Sequence, residues 1–135
     1  MRKHDYYETD VLAFFAGRPW ALPLYEALFS QMEELFPEAA VKVQKSQISF
    51  YGRHLFAAVS LPVRRKKTWP EECIIVTFGL GARVEDPRIA VAVEPYPNRW
   101  THHTSVADLG ELDEELMGWL YLSKEFSGRR RRRKS

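Results

Sequence analysis

The chain has 135 residues, of which 45% are hydrophobic and 28% charged, with a formal charge of +2 and a single cysteine. That length fits one globular domain and excludes a second domain of ordinary size or an eightfold barrel of about 250 residues. Roughly two thirds of the open chain's surface is expected to be buried, so the core needs no disulfide or metal staple.

Thr9 and Asp10 precede the apolar run Val11, Leu12, Ala13, Phe14 and Phe15, and Gly17 can supply a positive φ before Pro19. This predicts a helix of two turns at most, started by Thr9 or Asp10. From 20 to 36 the apolar positions Ala21, Leu24, Tyr25, Leu28, Met32, Leu35 and Phe36 recur at three and four, with Glu26, Gln31, Glu33 and Glu34 on the other side. The spacing predicts an amphipathic helix with Pro23 in its first turn and Pro37 beyond its end.

The period then changes to two. Val41, Val43 and Lys45 alternate with Lys42, Gln44 and Ser46, and Ile48 and Phe50 alternate with Ser49 and Tyr51, before a turn at Gly52. Half-buried strands have this rhythm. A returning strand over 55–61 stops at Pro62. Arg64, Arg65, Lys66, Lys67, Thr68, Trp69 and Pro70 cannot continue a core element and predict a solvated loop or hairpin extension. Residues 73–80 form the most apolar strand candidate, followed by 89–94 and, after the turn residues Pro95, Tyr96, Pro97 and Asn98, by 100–106. A last helix over about 111–126 places Leu112, Leu116, Trp119 and Leu120 on one face, with Asp108 or Gly110 marking its start.

Helices at both ends and short strands between them predict an α+β domain over 10–127, preceded by a short segment 1–9. Its expected sheet is antiparallel or mixed, of five or six strands, packed by the N-terminal and C-terminal helices. Arg129, Arg130, Arg131, Arg132, Arg133 and Lys134 supply six of the twenty cations; the other fourteen against eighteen acids leave a body of −4. Residues 128–135 are therefore expected to be a disordered basic tail able to touch polyanions without reading sequence.

No apolar run approaches the 18 or so residues of a membrane span. The opening Met1, Arg2, Lys3, His4, Asp5 lacks the hydrophobic stretch of a secretory signal. A lone Cys73 beside Ile74 and Ile75 reads as a buried structural thiol and fits a reducing, cytoplasmic location. No metal site is expected, because one cysteine and two adjacent histidines facing opposite ways complete no ligand set, and no cofactor is implied. Gly79-Leu80-Gly81 lacks the Gly-Lys-Ser or Gly-Lys-Thr ending of a phosphate loop, and no serine sits in a Gly-x-Ser-x-Gly elbow.

Strand phase singles out the candidate ligand-binding residues. Lys45 shares a face with Val41 and Val43 unless the strand ends or bulges, so it would be an inward cation that must find an acid or a ligand. Trp100, His102, Thr104 and Val106 share the buried phase, opposite His103, and His102 could act as a base or a switch. Ser49 and Glu94, the one acid in a clear strand, complete the set, and Glu94 could partner Lys45 across the sheet. Arg53, with His54, Lys42, Arg64, Arg65, Lys66 and Lys67, would gather positive potential in a meander. A strand such as 100–106 could also pair across a homodimer if it lies at an edge.

Several spaced segments carry a resemblance: Phe15-Ala16-Gly17, the run from Val43-Gln44-Lys45-Ser46 to Gln47-Ile48-Ser49-Phe50, Phe56-Ala57-Ala58-Val59, Arg99-Trp100-Thr101-His102-His103, and Leu112-Asp113-Glu114-Glu115-Leu116. In this order they resemble DUF5655, a bacterial domain family of unknown function, from about residue 10 to 126. The resemblance implies small stand-alone proteins or attached domains and transfers no catalytic set. Three functions stay open: a small ligand-binding or regulatory domain recognising an anion, an enzyme using Lys45 or His102 with Glu94 or Ser49 in a pocket, and polyanion binding through the basic tail.

Overall fold

A computed structural model describes residues 1–62 and 69–129. Seven strands form one mixed sheet in the order β1-β2-β3-β4-β5-β7-β6. Strand β1 (Arg2–Lys3) runs parallel to β2 (Ala40–Val43). Then β2, β3 (Ile48–Tyr51), β4 (Leu55–Ser60) and β5 (Ile74–Leu80) make an antiparallel meander, and β7 (Arg99–Val106) inserts between β5 and the edge strand β6 (Ile89–Tyr96). The expected α+β class holds; the sheet, expected to be antiparallel or mixed with five or six strands, is mixed and has seven among the described residues, β1 being a strand that hydropathy could not announce because both its residues are exposed and charged.

Helices α1 (Tyr7–Phe14) and α2 (Leu22–Leu35) bridge the parallel pair β1 and β2. The expected start at Thr9 or Asp10 is corrected: α1 begins one turn earlier, after Tyr6, which takes the left-handed conformation at φ 65°. Pro19, Trp20 and Ala21 form a single 3-10 turn, and Pro23 sits in the first turn of α2, where its missing N–H has no bond to lose. Another 3-10 turn, Leu109–Glu111, is closed by Asp108 and Glu111 in a reciprocal capping box. The Asp113 carboxylate then accepts from the Leu116 N–H at 3.1 Å as α3 (Glu114–Arg129) begins.

The alternation of each strand decides the core. Val41 and Val43 pair with Phe50 and Ile48; these lie beside Ala57 and Val59, then Phe78 and Val76, then His102 and Thr104. This row packs against Tyr7 and Val11 of α1, Tyr25, Leu28 and Met32 of α2, and Leu116 and Leu120 of α3. A register shift between Phe50 and Tyr51 lets both Phe56 and Ala57 join that core, with Phe56 edge-on to Phe36 at 5.2 Å. The other face carries a smaller cluster of Trp69, Cys73 and Ile75. Cys73 is fully buried there.

Arg88, just before β6, clamps the start of α3. Its Nη1 reaches both Asp113 carboxylate oxygens at 2.9 and 3.1 Å and Glu115 at 3.1 Å, while Nη2 donates to the Glu111 carbonyl at 2.7 Å. The disorder expected from residue 128 is corrected for Gly128 and Arg129, which continue α3. The rest of the tail, Arg130 to Lys134 included, and the loop cations Arg64, Arg65, Lys66 and Lys67 lie outside the described residues.

Candidate functional site

The structure does not bring the six candidate ligand-binding residues together. Strand β2 ends at Val43, so Lys45 is exposed in the turn to β3 and is not an inward cation. The reason is geometric: four residues complete the pairing with β3, and the chain must reverse between Val43 and Ile48. Ser49 is fully buried on the sheet face away from His102, donating to the Gln44 side chain at 2.5 Å and accepting from Gln47 at 2.7 Å. Arg53 is exposed on the β3–β4 turn. Glu94 is exposed on β6 and accepts from the Asn98 N–H at 2.9 Å, which closes the β6–β7 hairpin; the suggested pairing with Lys45 fails because β2 and β6 lie near opposite edges. Trp100 is half-buried, with the Arg83 guanidinium 5.8 Å from its ring centroid.

His102 is fully buried on the core face, as its phase predicts, and its ring stacks on Phe78 at 5.0 Å and 13°. Its Nε2 accepts from the Val84 N–H at 2.9 Å, so the neutral ring carries its proton on Nδ1. Burial holds the imidazole below its ordinary value; the Phe78 backbone pulls the other way, and the His103 and Arg83 charges add to burial. An imidazole enclosed in this way ties the β5–β6 connection to the sheet. Strand β7, whose edge was the suggested dimer contact, is covered by β5 and β6 on its two sides.

A different set of residues converges at the open end of β4 and β5. Their paired register ends at Ala57 and Phe78. Beyond it the Ser123 hydroxyl of α3 donates to the Phe56 carbonyl at 2.6 Å and accepts from the Gly79 N–H at 3.0 Å. A helix hydroxyl thus stands between two strand groups, and beside it a cleft of about 120 Å³ opens. Gln47, Thr77, Thr101, Ser123, Ser127 and Arg99 supply its polar lining, and Phe56, Phe78 and Phe126 its apolar wall.

Each wall has a local cause. Arg99 opens β7 directly after the tight turn at Asn98, where φ is 60°, and its guanidinium lies 6.0 Å from the Phe126 ring centroid with Nη1 buried. Thr77 and Thr101 take the outward phase of β5 and β7, and the Thr77 hydroxyl meets His103 Nδ1 at 2.9 Å. Phe126 closes over Gly81, where a Cβ would stand 3.1 Å from the ring. Lys124 lies along Gly52, next to Arg53, and Arg129 is exposed at the end of α3, with Glu125 the exposed acid on the same turns. A guanidinium with hydroxyl and amide neighbours suits a small oxyanion such as a carboxylate or phosphate.

The sequence carried one unread signal for this cleft. The buried stripe of α3 runs Leu116, Leu120 and then continues at helical spacing through Ser123 and Ser127, both buried. Hydroxyls continuing an apolar stripe must find partners inside, which marks the place where a sheet end needs them. Arg99 gave no such signal, because a strand-opening arginine is ordinarily a solvated one.

Among the described residues no group of three or more His, Cys, Asp or Glu side chains could hold a metal, and no helix is long and apolar enough to cross a membrane. Comparison with curated proteins and with solved structures returns no match. A family profile described as a domain of unknown function, DUF5655, matches residues 11–127, from α1 to the last turn of α3 and with the whole cleft inside it. The chain belongs to the DUF5655 family.

Proposed function

We propose that this domain is a small ligand-binding domain that takes an anionic group into the β4–β5 cleft, with Arg99 as its charge partner. The observation that supports this reading is the Arg99 guanidinium in the wall of a cleft whose other polar groups are uncharged. Nη1 is buried, so charge is less screened there than on an open surface. The cleft's volume of about 120 Å³ leaves room for a small group such as a phosphate or carboxylate head.

A second reading is polyanion binding. Arg129 ends α3 two residues after Ser127, a lining residue of the cleft, and opens the run of cations in the sequence. Titration of the chain with inorganic phosphate and with acetate, followed by backbone and arginine side-chain NMR, separates the two. Saturable shifts at Arg99, Thr101 and Ser127 that disappear in Arg99→Gln and survive removal of residues 129–135 are expected. Binding that vanishes with those residues and ignores Arg99→Gln would transfer the function to the basic run.

A further inference from the structure

We infer that the groove between α1 and α2, far in sequence from the cleft, is a recognition site for an alkylammonium group, with Lys3 as its intramolecular occupant. The groove has a volume of about 350 Å³ and is lined by Lys3, Tyr7, Glu8, Leu12, Glu26 and Phe29, among others. The Lys3 ammonium lies 5.2 Å from the Tyr7 ring centroid and 5.3 Å from that of Phe29, inside the range at which a cation is drawn to an aromatic face. Those two rings stand 5.6 Å apart at a tilt of 36°, so one cation addresses both.

The rings are held in place. The Tyr7 and Tyr25 hydroxyls meet at 2.6 Å below the surface, and Tyr25 packs against Phe29 at 6.0 Å. Around them the charge is acidic. Glu8 and Glu26 line the groove, and Glu33 holds the N-terminal ammonium at 3.7 Å. Burial raises the Tyr7 phenol to about 12 against the pull of the Tyr25 hydrogen bond, with Glu33, Glu8 and Glu26 adding to the rise. Lys3 is exposed, and its flexible stem can leave the rings without breaking the pairing of β1 with β2. Leu12, 60% exposed, offers apolar surface to the methyl or methylene groups that accompany an ammonium.

The ammonium could belong to a free quaternary amine or to a lysine side chain of a partner; both present the same chemistry to the rings. The test titrates the full chain with choline, with 3,3-dimethylbutanol as its uncharged isostere, and with a Gly-Lys-Gly peptide blocked at both ends, reading the ring protons of Tyr7, Tyr25 and Phe29. Choline is expected to shift Tyr7 and Phe29 saturably, to bind about tenfold more tightly to Lys3→Ala than to the parent chain, and to outbind the isostere about tenfold. Glu26→Gln, at an exposed position, is expected to weaken choline about threefold and keeps the test readable if Lys3→Ala disturbs β1. A tighter peptide assigns the site to a protein-borne lysine and a tighter choline to a free amine; either upholds the inference. Equal binding of choline and its isostere, or no saturable shift in a folded Lys3→Ala, would overturn it.

Discussion

His102 allows a sharp test of the fold, because a histidine enclosed on the core side takes up a proton less readily than the unfolded chain's histidine. Its folded value is depressed, so the stability it confers is fully present above the unfolded value of about 6.5 and is lost as pH falls from there toward the folded value. One extra proton on the unfolded chain corresponds to about 1.36 kcal/mol per pH unit at full slope. Allowing for partial titration near 6.5, the loss between pH 6.5 and 5.5 is at most about 1 kcal/mol, a measurable share of a domain's 5–15 kcal/mol or so. His102→Gln keeps an oxygen that can accept the Val84 N–H and removes both the titration and the stacking on Phe78. The variant is expected to be about 1 kcal/mol less stable at pH 8, with the gap to the parent chain narrowing as pH falls below about 6.5. Urea unfolding followed by tryptophan fluorescence at each half unit of pH measures this. His4, His54 and His103 are common to both proteins, so the difference isolates His102. Parallel stability–pH curves for parent and variant would refute the reasoning.

Ser123→Ala leaves the Phe56 carbonyl and Gly79 N–H without the hydroxyl that joins them. It is expected to cost about 1–3 kcal/mol in urea unfolding and to raise amide exchange at Gly79 first. Arg88→Ala removes the clamp on α3 and is expected to cost about 1–2 kcal/mol, less at high salt because Asp113 and Glu115 are about half exposed. The Arg88 guanidinium beside Asp113 holds that carboxyl below its ordinary value. The parent chain should therefore lose a share of stability as pH falls below about 4, a loss that is smaller in the variant, where the Leu116 N–H still holds the carboxylate. Tyr6→Gly relieves a left-handed backbone at a residue 79% exposed and is expected to raise the thermal midpoint by a few degrees; a lowered midpoint would mean that the ring contributes more than the conformation costs.

Much of the fold was legible because burial imposes a period on the residues. The three-and-four spacing that announced α2 and α3 is the spacing that buries Leu24, Leu28 and Met32, then Leu116 and Leu120. The two-residue rhythm that turned His102 inward and His103 outward is the pleat of β7 paired with β5. Strand β1 escaped because two exposed cations carry no hydrophobic period; they are a strand only through the backbone of β2. Lys45 misled for the complementary reason: the alternation continued past Val43, while the pairing with β3 did not.

The sequence by itself therefore determined which residues seek the interior and which elements they form, since the transfer of apolar groups from water depends on each residue and its near neighbours. Strand order, the end of a ladder and the meeting of distant side chains depend on contacts between segments dozens of residues apart, and no local period encodes those. Only the tertiary structure set Ser123 between Phe56 and Gly79, brought Arg99 to the same opening, and laid Lys3 across Tyr7 and Phe29.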